Sequence, residues 1–164
     1  MKYCSKCGAQ IMDDAVICPN CGCSTANNTK MPSVQIKPYG SWLSFFLLSL
    51  ITFGIYGIVK MSRISTDINT IASNYDGKKT MHYCLVFFIF SWLTFGIVPL
   101  VWFHKLSARI GAELDRRGIS YSFGAGSFWV WNVLGSLIIV GPFVYTHKLL
   151  TSMNLLAEDY NAKG

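Results

Sequence analysis

With 164 residues the chain has room for one ordinary domain, or for a very small module followed by a larger one. Only 13% of the residues are charged and 52% are hydrophobic, against roughly 25% and 45–50% in soluble globular domains; this points to lipid and away from an ordinary soluble domain. The formal net charge is +6, and most basic residues outside the first 24 stand beside long apolar runs, so anionic headgroups suit them better than nucleic acid.

Residues 1–24 form a cysteine module. The first ten lack the apolar segment of a signal peptide, so a reducing compartment is expected. Five of the six Cys fall within the first 23 residues, and clustered thiols in such a compartment more often hold metal than disulfides. Cys4 and Cys7 form one C-x-x-C pair, and Cys18 and Cys21 form another. Two such knuckles, each followed by a glycine (Gly8, Gly22), bring four thiolates to one tetrahedral site. With no open position, the spacing predicts one structural Zn2+ per chain. Ile11, Ala15 and Ile17 would add the few apolar contacts. Cys23 follows at once, an idle small residue, a spare ligand or a metal-transfer thiol. In this module Lys2 and Lys6 cancel Asp13 and Asp14, which argues against nucleic acid and for a cytoplasmic protein partner.

Residues 25–38, polar and holding Pro32 and Pro38, read as a flexible linker. The membrane domain then runs from 39 to 164. Three stretches without Asp, Glu, Lys or Arg follow, at 41–59, 83–103 and 128–146. Each matches the ~20 residues a helix needs to cross a ~30 Å hydrocarbon core. Tyr39, Trp42, Trp102, Trp129 and Tyr145 mark their ends, as aromatic rings do at headgroup level.

The stretches echo one another. Ser-x-x-Thr-Phe-Gly-Ile at 49–55 recurs at 91–97, and the segment 101–106 recurs more loosely at 144–149. Gly57, Pro99 and Pro142 take equivalent places, as do Arg63, Lys105 and Lys148. After each stretch comes an amphipathic segment. Ile64, Ile68, Ile71 and Tyr75 share one helical face; Leu106, Ile110 and Leu114 share another; Leu149, Met153, Leu156 and Tyr160 share a third. Such faces suit the membrane interface or a neighbouring helix. The predicted fold is an all-α membrane domain of three helical repeat units (about 39–77, 81–118 and 126–161), each an apolar span plus an amphipathic helix, behind a small N-terminal zinc ribbon.

Topology is balanced on charge. If the spans cross, Lys30, Lys37, Lys105, Arg109, Arg116 and Arg117 lie on one side and Lys60, Arg63, Lys78, Lys79, Lys148 and Lys163 on the other. The ribbon's need for a reducing cytoplasm breaks the tie, giving a multi-pass cell-membrane protein with its N-terminus cytoplasmic and its C-terminus outside. Alternatively, residues 54–57 and their copies are turns, each unit is a re-entrant hairpin, and all basic residues face the cytoplasm.

Catalytic groups are missing from the pattern: there is no supported nucleophile–base pair, phosphate-cradling loop or intramembrane carboxylate pair, so no enzyme is expected. The polar residues of the stretches, Ser44, Ser49, Thr52, Ser91, Thr94, Asn132 and Ser136, are mild, whereas ion pathways usually need ionisable groups. His104 and His147 stand beside Lys105 and Lys148, either as interfacial anchors or as headgroup or pH-sensing groups. Glu113, Asp115, Glu158 and Asp159 read as solvated faces, and Cys84 has no assigned role.

The N-terminal 22 residues resemble the short zinc ribbon that heads many prokaryotic membrane proteins. Thr-Phe-Gly-Ile-Tyr-Gly at 52–57 and Thr-Phe-Gly-Ile-Val-Pro at 94–99, with the basic residues that follow, resemble the prokaryotic membrane family called domain of unknown function 4234 over about residues 40–115. The resemblance implies a bacterial or archaeal cytoplasmic-membrane protein and brings no activity with it. The expected role is a membrane-embedded scaffold or regulator whose ribbon binds a partner; a transporter or channel subunit and a lipid-modifying enzyme are the alternatives.

Overall fold

The structure, a computed structural model, describes residues 2–4, 7–12, 18–23 and 34–164. In the ribbon, β1 (Lys2–Tyr3) pairs antiparallel with β2 (Gln10–Ile11), Lys2 facing Ile11 and Tyr3 facing Gln10. Ile11 is buried with Cys4 and Cys18. Ala15, Ile17 and residues 25–33 of the expected linker lie outside the described residues.

The rest is helical. Helix α1 (Trp42–Ile51) is capped by Ser41, whose Oγ accepts from the Leu43 N–H at 3.3 Å. It turns at 52–54 into α2 (Ile55–Asp76). The second unit climbs through α3 (Tyr83–Leu85), a π-helical turn (Val86–Phe90) and α4 (Ser91–Leu93), then turns into α5 (Ile97–Arg116). The third rises through α6 (Ala125–Ser127), a π-helical turn (Phe128–Val133) and a 3-10 turn (Leu134–Ile138) before α7 (Gly141–Lys163).

The apolar stretches are therefore not continuous spans. Each breaks near its middle, and no helix among the described residues is long and apolar enough to cross a membrane. The break has a local cause. Phe53 (φ 49°) and Gly54 (φ 88°) both enter the left-handed region, which ends a right-handed ladder. Thr52 satisfies the opened backbone: its hydroxyl donates to Leu48 O at 2.7 Å and accepts from the Tyr56 N–H at 3.0 Å. Phe95 (φ 49°), Gly96 (φ 87°) and Thr94 repeat this turn, with Thr94 Oγ1 donating to Phe90 O at 2.6 Å and accepting from the Val98 N–H at 3.2 Å. The third turn is built otherwise, on Ile139 (φ 64°) and a close approach of backbones; a Cβ on Gly141 would stand 2.1 Å from Trp131 O. Pro99 and Pro142 fall in the first turn of α5 and α7, where a missing N–H goes unnoticed.

The three amphipathic faces pack on one another. Ile64, Ile68 and Ile71 of α2, Leu106, Ile110 and Leu114 of α5, and Leu149, Met153 and Leu156 of α7 are all buried in one cluster, each contributing roughly 1.5–3 kcal/mol. Tyr75 leaves its expected face: it is largely exposed, and the Arg116 guanidinium lies 3.6 Å from its ring. The helices run parallel. Arg109 meets Asn69 while Arg116 meets Tyr75, and Ser107 meets Tyr145 while Arg117 meets Asp159. Their N-terminal ends, and hence the three turns, lie together at one end of the molecule.

Residues 36–39 dock on this bundle. The Ile36 N–H donates to Asn161 Oδ1 and Asn161 Nδ2 returns a bond to Ile36 O, both at 2.8 Å. The Tyr39 N–H donates to Asn154 Oδ1 at 2.7 Å, and its hydroxyl donates to Asp67. Ile36 and Tyr39 are buried, so this end of the expected linker belongs to the helical unit, beside the C-terminus of α7.

Candidate metal centre and the hairpin tips

Both knuckles close in the same way. The Gly8 N–H donates to Cys4 O and the Gly22 N–H to Cys18 O, each at 2.9 Å, while the N–H groups of Cys4 and Cys18 donate to Ala9 O and Cys23 O. Gly8 (φ 71°) and Gly22 (φ 66°) supply the left-handed step these turns require. The sulfurs of Cys4, Cys7, Cys18 and Cys21 consequently lie within 4.8 Å of one another. Cys4 and Cys21 are 3.7 Å apart, as are Cys7 and Cys18. Zn–S bonds of ~2.3 Å in a tetrahedron give an S–S edge of about 3.8 Å, so the donor set fits one structural zinc per chain. Asn20 Nδ2 stands 3.8 Å from the Cys7 sulfur, an orienting contact.

Cys23 is not remote from this centre. Its sulfur lies 3.0 Å from that of Cys21 and 3.2 Å from that of Cys4. Spacing alone says nothing of this, because the direction of a side chain after a glycine depends on that glycine's φ.

The other singled-out residues divide between backbone support and packing. Thr52 and Thr94 are taken up at the turns. Ser49 Oγ is buried without a hydrogen-bond partner, 3.3 Å from where a Cβ on Gly57 would lie. Ser136 Oγ donates to Val133 O, and Cys84 Sγ lies 3.0 Å from Ser62 Oγ. His104 Nδ1 accepts from Trp129 Nε1 at 3.0 Å, and His147 meets Trp42 edge to face at 6.3 Å. Glu113 is not a solvated side chain: it is buried, held by Arg116 and Arg117.

The hairpin tips are the second feature of the surface. Phe53 and Phe95 are 98% exposed, and Leu50, Ile51, Trp92, Leu93, Leu137 and Ile139 join them. Beyond Val59 in α2 no large apolar side chain is exposed until Tyr75; beyond Val101 in α5 and Phe143 in α7 none is exposed.

These features define a four-cysteine metal-binding module followed by a domain of helical hairpins. Residues 3–25 match the zinc-ribbon domain family, and residues 40–112 match the domain of unknown function DUF4234, so the chain carries a zinc ribbon followed by a DUF4234 domain. The second match spans hairpins one and two and most of α5, ending about one turn before its C-terminus. No curated protein and no solved structure matches the chain.

Proposed function

We propose that the chain is a membrane-embedded scaffold, anchored in one leaflet by its three hairpins, that presents its zinc ribbon to a protein partner at the cytoplasmic surface. The observation that carries this reading is the segregation of exposed apolar side chains around three turns at one end. Exposed apolar area of this extent marks a membrane or protein contact. Ten residues of α1 rise about 15 Å, half of the ~30 Å hydrocarbon core. Lys60, Lys105 and Lys148 follow their turns by two to three helical turns, roughly 9–14 Å down the helices, which suits a cationic ring at headgroup level. Thr52 and Thr94 supply what a turn in hydrocarbon needs, internal partners for opened backbone groups.

In this arrangement every basic flank faces the same side. A tie in the positive-inside count is what such a chain produces when its hairpins are counted as crossings. The C-terminus then shares the cytoplasmic side with the ribbon, and the docking of Ile36 beside Asn161 is consistent with that. A transport path along Ser49, Thr52, Ser91 and Thr94 draws no support, since both threonine hydroxyls serve the backbone.

Labelling with a membrane-impermeant maleimide tests the topology, in a background where Cys23 and Cys84 are serine. Single cysteines at Lys79 and Ser120, in the loops after the first and second hairpins, are both expected to react only after the cells are permeabilised. Crossing spans put these loops on opposite sides, so reaction at one of the two sites in intact cells overturns the one-leaflet reading.

A further inference from the structure

We infer that the groove between α5 and the loop after α2 binds one anionic glycerophospholipid, with its phosphate at Lys79 and Lys105 and an acyl chain along Val86, Val98 and Val101. This rests on the one-leaflet reading above. The groove encloses about 1030 Å3, at the upper end of the ~300–1,000 Å3 typical of small-molecule sites.

Its floor is apolar. Val86 and Trp102 are buried, while Val101 and neighbouring Leu85 are exposed, so the floor continues into the lipid-facing surface of the second hairpin. Its rim is cationic: Lys78, Lys79 and Lys105 line it, with the His104 imidazole beside them. The side-chain ammonium groups of Lys79 and Lys105 form no ion pair or hydrogen bond with any described residue. The one carboxylate on the rim, Asp76, is already neutralised by Arg109, with N–O distances of 2.6 and 3.0 Å. His104 accepts from Trp129 through Nδ1, which leaves Nε2–H as a donor.

The loop carrying the lysines is held in place. Arg109 donates to Asn69, Ser73, Thr80 and Lys78 O as well as to Asp76, and Trp102 Nε1 donates to Met81 O at 2.8 Å. Arg109 is thus a positioning residue, its charge spent within the fold. What remains is a braced loop, two unpartnered ammonium groups and an apolar track leading toward hydrocarbon. An anion with an apolar tail satisfies all three, whereas free phosphate leaves the track bare.

The test uses the full chain in neutral detergent, mixed with phosphatidylglycerol and phosphatidylcholine of identical acyl chains, with bound lipid read by native mass spectrometry. One phosphatidylglycerol per chain is expected, with phosphatidylcholine not retained. Lys79→Ala with Lys105→Ala, two exposed positions, should lower retention roughly tenfold or more, the order expected for losing two lysine–headgroup attractions. Lys37→Ala, an exposed cation outside the groove, should leave it unchanged, and millimolar inorganic phosphate should not displace the lipid. Equal retention of both lipids, unchanged retention in the double variant, or displacement by phosphate overturns the inference. Liposome flotation separates the two readings. Wild-type protein that floats but holds no phosphatidylglycerol sinks the groove alone; wild-type protein that does not float sinks the anchoring as well.

Discussion

Phe53 and Phe95 occupy a backbone region that bulky residues seldom enter, and each is followed by a glycine further into it. At Gly54 and Gly96 a Cβ would meet nothing within 4 Å, so these glycines serve conformation and not close contact. Gly54→Ala and Gly96→Ala are each expected to destabilise the helical domain by about 1–2 kcal/mol through strain alone. Thermal unfolding checks this, and unchanged midpoints in both variants would count against a turn held by glycine. In the ribbon, Cys4→Ser with Cys18→Ser is expected to abolish zinc binding by elemental analysis. Cys23→Ser should keep about one zinc per chain, because four other sulfurs complete the tetrahedron. The ligands were legible because a C-x-x-C turn is local. The nearness of Cys23 was not, since spacing does not say which way a sulfur points.

Among the elements, α2, α5 and α7 were readable from periodicity. Apolar residues three and four apart must share a face, and that face needs cover. The cover turned out to be the other two helices. A consequence lies at the polar end, where Glu113 sits between Arg116 and Arg117, with N–O distances of 2.6 and 2.7 Å. Burial alone would raise the Glu113 pKa, but the hydrogen bonds and charges of the two guanidinium groups outweigh it and hold the carboxyl below its ordinary range. Because the folded value lies below the unfolded one, the stability contributed is complete above the unfolded pKa and is lost as pH falls through the folded value. Glu113→Gln is therefore expected to cost about 3 kcal/mol at neutral pH, toward the lower end for a broken buried pair because Arg117 keeps Asp159. It should also flatten the acid limb of the stability curve. Urea unfolding at pH 7 and below pH 4 measures both. Sequence alone read Glu113 as solvated, since an acidic residue near two arginines looks the same on a surface as beneath one.

For the whole molecule, composition, the cysteine pairs and the apolar stretches determined much: a metal-holding module, an apolar and mainly helical remainder, and three helical faces in need of partners. These follow from chemistry local in the chain, where spacing and apolar content are sufficient. Only the tertiary structure decided whether each stretch runs straight or folds back, because a hydropathy count is the same for both. In the first two stretches the decision lies in two left-handed residues and a threonine hydroxyl that bridges the broken ladder, and in the third in Ile139 and the close approach of Gly141 to the Trp131 carbonyl. Parallel packing of α2, α5 and α7 then gathers the three tips at one end. It also leaves Lys79 and Lys105 on the rim of one groove, a proximity between residues 26 positions apart that no local pattern encodes.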